Sequence, residues 1–128
     1  MATSAPIVCV VDDDEPVRRA LCMQLERAGF ATVGAANGLE GLRTIRSSNA
    51  AVAVVDILMP DHGLGMIGEL KKLCPSTRIL AISGGGILAG TDYLKLARDT
   101  GADETLTKPF RQDEFIKLVR LLAAQQPL

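Results

Sequence analysis

The sequence predicts an α/β fold built on a doubly wound, five-stranded parallel sheet with five helices. Short apolar runs alternate with segments whose apolar residues recur at helical spacing, and this alternation occurs five times without a linker or an internal repeat. Such alternation is typical of parallel sheets whose right-handed crossovers place helices on both faces. The 128 residues suit one domain, with a core over about residues 7–123 and short tails.

The first two strand–helix units occupy the N-terminal third of the chain. Ile7–Val11 is an apolar run that stops at acidic residues. A helix should follow, with Asp14 as its N-cap and Gly29 at its end. Its predicted buried stripe is Val17, Ala20, Leu21, Leu25 and Ala28. Phe30–Ala36 is predicted as a second strand, and a short helix striped by Leu39, Leu42 and Ile45 should end near residues 47–49.

The third strand is the most apolar segment of the chain. Ala50–Val55 is a continuous apolar run, rich in valine, that ends at Asp56, and it suits a strand buried on both faces. We expect a glycine-rich loop over Asp61–Gly65 and then a helix that ends before Pro75. The predicted stripe of that helix is Met66, Ile67, Leu70 and Leu73.

Two further units complete the predicted fold. Arg78–Ile82 is the fourth strand, and a helix carrying Tyr93, Leu94 and Ala97 should stop at Gly101. Glu104–Thr107 is the fifth strand. The last helix is striped by Phe115, Leu118, Val119 and Leu122.

Composition excludes several classes of function. The formal charge of −1 argues against a dedicated nucleic-acid surface, and three Phe with one Tyr are few for a base-stacking or flavin surface. No apolar stretch is long enough to cross a bilayer, and the N-terminus lacks a signal-peptide pattern, so we expect a cytoplasmic protein without membrane contact. Cys9, Cys22 and Cys74 have no metal-ligand spacing and are predicted as buried free thiols.

Carboxylates follow the first and third strands of the predicted sheet. In the strand order 2-1-3-4-5 the topological switch point lies between these two strands, where ligands bind beyond the carboxyl ends. Asp12, Asp13 and Asp56 would therefore share one pocket. Clustered carboxylates repel one another unless a cation lies among them, and oxygen ligands of this kind suit Mg²⁺.

The fourth and fifth strands contribute two more polar groups to the same edge of the sheet. They are followed by Ser83 and Lys108, which supply a hydroxyl and an ammonium facing the predicted metal site. Together these groups form a receptor for a phosphoryl group, with Asp56 as a nucleophile that could form an acyl phosphate. Each feature alone is more often a turn, a helix cap or a surface residue. Their joint occurrence at strand ends favours the functional interpretation.

Four segments resemble the receiver domain of two-component response regulators, a flavodoxin-like fold. They are Val-Val-Asp12-Asp13-Asp, Val-Val-Asp56-Ile-Leu-Met-Pro60, Ile-Ser83-Gly and Thr-Lys108-Pro109-Phe110, and the likeness covers residues 7–123. The resemblance implies that residues 1–128 are a single receiver domain. It further implies that Asp56 accepts a phosphoryl group from a histidine kinase or a histidine phosphotransfer protein.

The resemblance also assigns roles around Asp56. Asp13 and Asp56 would bind Mg²⁺ directly, Asp12 mainly through water, and the Leu58 carbonyl would be a further ligand. Lys108 would pair with the phosphoryl oxygens and Ser83 would move to hydrogen-bond them. The change would be read by an unknown downstream protein at the face of the fourth helix, fifth strand and fifth helix.

Three departures from the family pattern bear on mechanism. Thr105 occupies the position of the usual switching aromatic, for which Tyr93 is a weak substitute. The segment between Ser83 and Lys108 is long and contains Gly84, Gly85, Gly86 and Gly90, which predicts a mobile loop. Residues 61–65 depart from the usual loop, which could alter phosphoryl lifetime.

The sequence leaves three alternatives to compare with a phosphorylatable switch. The first is a receiver-shaped interaction module that is not phosphorylated. The second is a haloacid-dehalogenase-type phosphatase, which would want an acid where Leu58 stands. The third is a flavodoxin-like electron carrier, which would want aromatics and a hydroxyl-rich phosphate loop early in the chain, where this chain has acids. We therefore expect a stand-alone receiver that catalyses only its own phosphoryl transfer and dephosphorylation, and no separate enzyme activity.

Overall fold

A central sheet and a small hairpin contain all the strands in the part of the chain that the computed structural model describes, residues 5–57, 63–84, 87–88 and 91–125. The strands are β1 (Ile7–Val11), β2 (Ala31–Ala35), β3 (Val52–Asp56), β4 (Arg78–Ser83), β5 (Ile87–Leu88), β6 (Thr91–Asp92) and β7 (Glu104–Thr107). The helices are α1 (Glu15–Arg27), α2 (Gly38–Ser48), α3 (Gly63–Leu73), α4 (Tyr93–Thr100) and α5 (Gln112–Ala124).

The central sheet has the predicted topology. Its strands lie in the order β2-β1-β3-β4-β7, which is 2-1-3-4-5 among the strands of this sheet, and every neighbouring pair is parallel. The middle strand, β3, is hydrogen-bonded on both sides, and residues Val52–Val55 are at most 1% exposed. The predicted fold class and the two-sided burial of the third strand are confirmed.

Strand alternation divides the core into two layers. Cys9, Ala53 and Ala81 face a layer that includes residues of α2, α3 and α4. The intervening strand residues, such as Val10 and Val54, face α1 and α5. Because successive side chains point to opposite faces of a strand, a fully apolar strand is what this two-sided burial requires.

Three side chains directly before helices accept hydrogen bonds from first-turn amides. Asp14, as predicted, accepts from the Val17 amide at 3.3 Å and caps α1. Asn37 and Asp92 cap α2 and α4 in the same way. Each cap satisfies an amide that has no partner within its helix, and it fixes where the chain leaves the sheet.

One local prediction is wrong, and one small feature was not predicted. The glycine-rich loop predicted over Asp61–Gly65 ends earlier, because α3 begins at Gly63, while residues 61 and 62 lie outside the described residues. The antiparallel hairpin of β5 and β6 was not predicted, because two-residue strands carry no readable periodicity. The described residues test no part of the predicted mobility between Ser83 and Lys108.

Some predicted core residues face solvent. Leu39 is 61% exposed, although Gly38 and Gly41 at the same end of α2 are buried, and Leu73, the last residue of α3, is 47% exposed. Ala20 is also exposed. All three cysteines are free, but only Cys9 is buried, while Cys22 and Cys74 are partly exposed. Among the described residues, no helix has the length and apolar character needed to cross a membrane.

Candidate functional site

Parallel register brings the predicted carboxylates together. Val11 of β1 pairs with Val55 of β3, so Asp12 and Asp56 each follow a paired residue at the same level of neighbouring strands. Carboxylate oxygens of Asp12, Asp13 and Asp56 lie within 4.8 Å of one another. Asp12 is buried, Asp56 is partly buried and Asp13 is exposed. The predicted pocket at the switch point is therefore formed by the residues that the sequence indicated.

The backbone around Asp12 is held from several directions. Its amide donates to the Ala35 carbonyl of β2 at 3.1 Å, which extends the sheet pairing one residue beyond β1. The Asp14 amide donates to Asp12 Oδ1 at 2.9 Å. Arg18 Nη1 donates to the Asp12 carbonyl at 2.8 Å. Asp12 is thereby fixed where β1 ends and α1 is about to begin.

Burial raises the pKa of the Asp12 carboxyl above its ordinary value of 3.8, and the neighbouring charges of Asp56 and Asp13 add to the increase. The hydrogen bond from the Asp14 amide and the charge of Lys108 act in the opposite direction. With a side chain only 3% exposed, the carboxylate is poorly hydrated. An added cation would stabilise its charged form.

Lys108 contacts two of the three carboxylates. Its Nζ lies 3.3 Å from Asp56 Oδ2 and 3.6 Å from Asp12 Oδ2. The backbone amide of Lys108 donates to the Ser83 carbonyl at 2.9 Å, so the residue is anchored to the end of β4 while its side chain reaches past β4 to the end of β3. One ammonium partly compensates three carboxylates, and the pocket keeps a net negative charge.

Ser83 ends β4 and is fully buried. It pairs with Thr107 of β7, whereas Asp56 pairs with Ile82, so Ser83 lies one residue beyond the level of Asp56 on the adjacent strand. The hydroxyl therefore belongs to the same edge of the sheet as the carboxylates and Lys108.

The start of α3 lies directly against the backbone of Asp56. A Cβ atom at Gly63 would be 2.6 Å from the Asp56 carbonyl oxygen and 2.7 Å from Ile57 Cα, which no real side chain could occupy. Glycine at this position thus permits the first turn of α3 to close over the end of β3. Leu58, whose carbonyl was a predicted ligand, lies outside the described residues.

The chemistry of the carboxylate group fits Mg²⁺. Hard cations of this size take oxygen ligands, and they are commonly held by one or two protein carboxylates with waters and phosphate oxygens in the other positions. Three clustered carboxylate groups, one of them buried and only partly compensated by Lys108, provide such ligands. The residues present therefore fit the predicted cofactor.

The face formed by α4, β7 and α5 contains the predicted departure at Thr105. Arg98 Nη2 of α4 donates to Thr105 Oγ1 of β7 at 2.7 Å. An open groove of about 660 Å³ runs beside this pair, lined by residues that include Lys95 and Glu114. Tyr93, the considered substitute for the aromatic, begins α4 and packs partly buried against the core layer of α2, α3 and α4.

Four contacts were not predicted from the sequence. They join Arg18 to the Asp12 carbonyl, Arg98 to Thr105, and Asp103 both to Lys71 and to the Ile79 amide. In each contact, side chains meet a backbone group or a residue on another element, and no periodic pattern signals such a partner. An arginine six positions after a strand-end aspartate was the only available sign of the first contact.

The fold and the site define a class of protein. The family model for the response regulator receiver domain matches residues 8–120. The chain therefore belongs to the receiver domain family of two-component response regulators.

Among relatives, the chain is 34% identical over 121 residues to the transcriptional regulatory protein KdpE of Mycobacterium tuberculosis, covering 92% of this chain and 50% of that protein. It is 29% identical over 119 residues to the C4-dicarboxylate transport transcriptional regulatory protein DctD of Rhizobium meliloti, covering 92% of this chain and 25% of that one. This chain thus spans between a quarter and a half of these two relatives.

Solved receiver structures share the whole fold. The Francisella response regulator 1452 receiver domain has a TM-score of 0.82 and 32% identity, over 94% of this chain and 98% of that one. The CheY-like receiver domain protein of Methanospirillum hungatei has a TM-score of 0.86 and 25% identity, over 96% of this chain and 97% of that one. The predicted family and fold are therefore confirmed.

Proposed function

We propose that this chain is a phosphorylation-dependent signalling switch whose phosphoacceptor is Asp56. The observation that carries the proposal is the arrangement around one carboxylate. Asp12 and Asp13 present oxygens within 4.8 Å of Asp56. On the other side, Lys108 Nζ lies 3.3 Å from Asp56 Oδ2. A nucleophile bordered by a metal-binding group and an ammonium is suited to phosphoryl transfer.

The proposed donor is a phosphohistidine of a histidine kinase or a phosphotransfer protein. An Asp56 carboxylate oxygen attacks phosphorus, the P–O bond of the acyl phosphate forms, and the P–N bond breaks. The electron pair of that bond remains on the leaving imidazole, which takes a proton from solvent. Hydrolysis ends the phosphorylated state: water attacks the acyl phosphate, the Asp56 carboxylate is restored and inorganic phosphate is released.

The residues around Asp56 would divide the charge stabilisation. Asp12, Asp13 and Asp56 would hold Mg²⁺, whose bound charge neutralises phosphoryl oxygens during transfer. Lys108 would pair with a phosphoryl oxygen once Asp56 is phosphorylated, and Ser83 would donate a hydrogen bond to another phosphoryl oxygen. The protein would thus catalyse only its own phosphorylation and dephosphorylation.

Phosphorylation would then alter the face of α4, β7 and α5, and through it the binding of a downstream protein or the relay of the phosphoryl group. Both strands that border this change end at the site, because Ser83 is the last residue of β4 and Lys108 directly follows β7. We assign these events to the cytoplasm, where histidine kinases have access to ATP. No role for nucleic acid or a membrane surface is proposed for this chain.

Acetyl phosphate with Mg²⁺ tests the acceptor directly. Intact-mass measurement should show the addition of one phosphoryl group, and Asp56→Asn should abolish it while Asp13→Asn should reduce its rate. Fragmentation should locate the acyl phosphate on Asp56. An unchanged mass with both acetyl phosphate and a cognate kinase would instead support a receiver-shaped interaction module that is not phosphorylated.

A further inference from the structure

Arg18 links the first helix to the acidic end of β1. Its Nη1 donates to the Asp12 carbonyl at 2.8 Å, across six positions of sequence. The Arg18 amide in turn donates to the Asp14 carbonyl at 2.9 Å, as part of the first turn of α1. One residue therefore holds both sides of the turn that carries Asp13.

All four polar atoms of Asp12 lie near a defined group. The amide is bonded to Ala35, the carbonyl accepts from Arg18, Oδ1 accepts from the Asp14 amide, and Oδ2 faces Lys108 at 3.6 Å. The hydrogen bond from Arg18 to the Asp12 carbonyl holds the peptide between Asp12 and Asp13. Its loss would leave that peptide free to rotate, and rotation would move the Asp13 side chain.

The path of the Arg18 side chain depends on Gly34 of β2. A Cβ atom at Gly34 would lie 3.3 Å from Arg18 Cδ and 3.5 Å from Nε. The arginine stem thus lies flat on the backbone of the edge strand, in space that a larger residue would fill. Arg19, the next residue, shares none of this, because its side chain is 75% exposed and is 3.9 Å from Glu15.

We infer that Arg18 is a positioning residue for the divalent cation and the phosphoacceptor. Arg18 acts by holding the Asp12–Asp13 peptide in the orientation that directs both carboxylates towards Asp56. This inference rests on the proposed function, since it concerns the same site. Outer groups that orient metal ligands typically contribute 10- to 100-fold to metal affinity. A carbonyl contact is at the lower end, so about a tenfold effect is expected.

Mg²⁺ titration of purified protein, followed by backbone amide NMR shifts, tests the inference with matched neighbours. Arg18→Ala should weaken Mg²⁺ binding about tenfold, and Arg19→Ala should leave it unchanged. Arg18→Lys should recover part of the loss, because a lysine ammonium can still donate to the carbonyl. Gly34→Ala, which displaces the stem but keeps the guanidinium, should give an intermediate loss.

Two further measurements separate positioning from stability and from the function itself. In metal-free protein, the Asp14 amide should exchange faster in Arg18→Ala than in Arg19→Ala, since its acceptor moves with Asp12. Phosphorylation by acetyl phosphate should slow at low Mg²⁺ and approach the parent rate at saturating Mg²⁺. Equal Mg²⁺ affinity in the Arg18→Ala and Arg19→Ala variants would overturn the inference about Arg18. The proposed function would still hold in that case, provided that the parent protein is phosphorylated. A parent that takes up no phosphoryl group would contradict the proposed function instead.

Discussion

Lys108 and Asp56 are separated by 52 positions in sequence, yet the lysine ammonium donates to Asp56 Oδ2 at 3.3 Å. The contact joins the residue after β7 to the end of the central strand, across β4. The same ammonium lies 3.6 Å from Asp12 Oδ2. Lys108 therefore compensates the negative charge of two carboxylates, and its removal should destabilise the charged form of both.

Lys108→Ala should lower the thermal stability of metal-free protein by about 4 °C, which corresponds to roughly 1 kcal/mol in a domain of this size. The reason is that two neighbouring carboxylates lose their cation. Saturating Mg²⁺ should restore most of the difference. Calorimetry with and without Mg²⁺ measures both effects, and Lys117→Ala, at an exposed position of α5, is the control.

Lys108→Ala should also separate phosphorylation from its readout. We expect beryllofluoride, a phosphoryl analogue, to change amide exchange along α4, β7 and α5 in the parent but not in the variant, because β7 would lose its side-chain link to Asp56. Hydrogen exchange by mass spectrometry makes the comparison. An equal response in parent and variant would show that the link between the site and this face runs by another route.

Asp13→Asn should stabilise the metal-free protein. Removing one negative charge from a group of three carboxylates relieves repulsion, and we expect a melting temperature higher by about 4 °C. The cost should appear with metal, because the variant should gain much less stability from Mg²⁺ than the parent does. Asp113→Asn, an exposed acid in the first turn of α5, serves as the matched control. A parent that melts at the same temperature with and without Mg²⁺ would contradict this prediction.

The raised pKa of Asp12 predicts how metal-free stability depends on pH. The folded protein holds the Asp12 proton more tightly than the unfolded chain, where the ordinary value of 3.8 applies. Its contribution to the free energy of unfolding is therefore present at low pH, and it is lost as pH rises from the ordinary value through the raised one.

A comparison of the parent with Asp12→Asn isolates this contribution. Urea unfolding across acidic pH should give a stability difference that changes in favour of the Asn variant as pH rises. Mg²⁺ binding should follow the opposite direction and strengthen with pH, because the metal needs the carboxylate. If the difference between parent and variant were independent of pH, Asp12 would titrate alike in the folded and unfolded chains.

The hydrogen bond between Arg98 and Thr105 should hold α4 against β7. Arg98→Ala should increase amide exchange in α4 without changing the phosphoryl uptake of Asp56, since neither residue contacts the acidic group. Lys95→Ala, an exposed position on the same helix, should have little effect.

A phosphoryl-analogue-bound structure should show no inward swing of Tyr93. If Tyr93 does swing, the aromatic has a role that its partly buried position at the start of α4 does not indicate.

Asp103 should matter for stability rather than for signalling. Its carboxylate accepts from the Ile79 amide at 2.8 Å and from Lys71 at 3.1 Å, at the end of the sheet opposite the acidic site. Asp103→Ala leaves those donors without this acceptor and should cost about 2 kcal/mol. Chemical denaturation measures the loss, and phosphorylation by acetyl phosphate should proceed at the parent rate below the transition.

The acidic site could be predicted because its residues stand at strand ends. Alternation of strands and helices indicates a parallel sheet. The order of that sheet brings the ends of β1 and β3 together, so Asp12 and Asp56 were expected to be neighbours. Lys108 was predictable for the same reason, as the residue after the last strand. Topology alone determines these neighbours.

Other features depend on side-chain paths that no spacing rule describes. Arg18 and Arg19 are adjacent and chemically identical, yet Arg18 donates to the Asp12 carbonyl while the Arg19 side chain is 75% exposed. Leu39 and Leu73 match the helical spacing of buried residues, yet both are exposed. At the start of α2 the buried residues are Gly38 and Gly41, and a stripe of large apolar side chains does not include glycines.

The proposed acceptor site is assembled only when the sheet is complete. Asp12 comes from the first strand–helix unit, Asp56 from the third, and Lys108 follows the last strand of the sheet. A chain still emerging from the ribosome therefore carries Asp56 before it carries the Lys108 ammonium that faces it. If Asp56 is the phosphoacceptor, as proposed, a copy that lacks the last strand–helix unit should not be phosphorylated efficiently, so phosphorylation would be restricted to fully folded molecules.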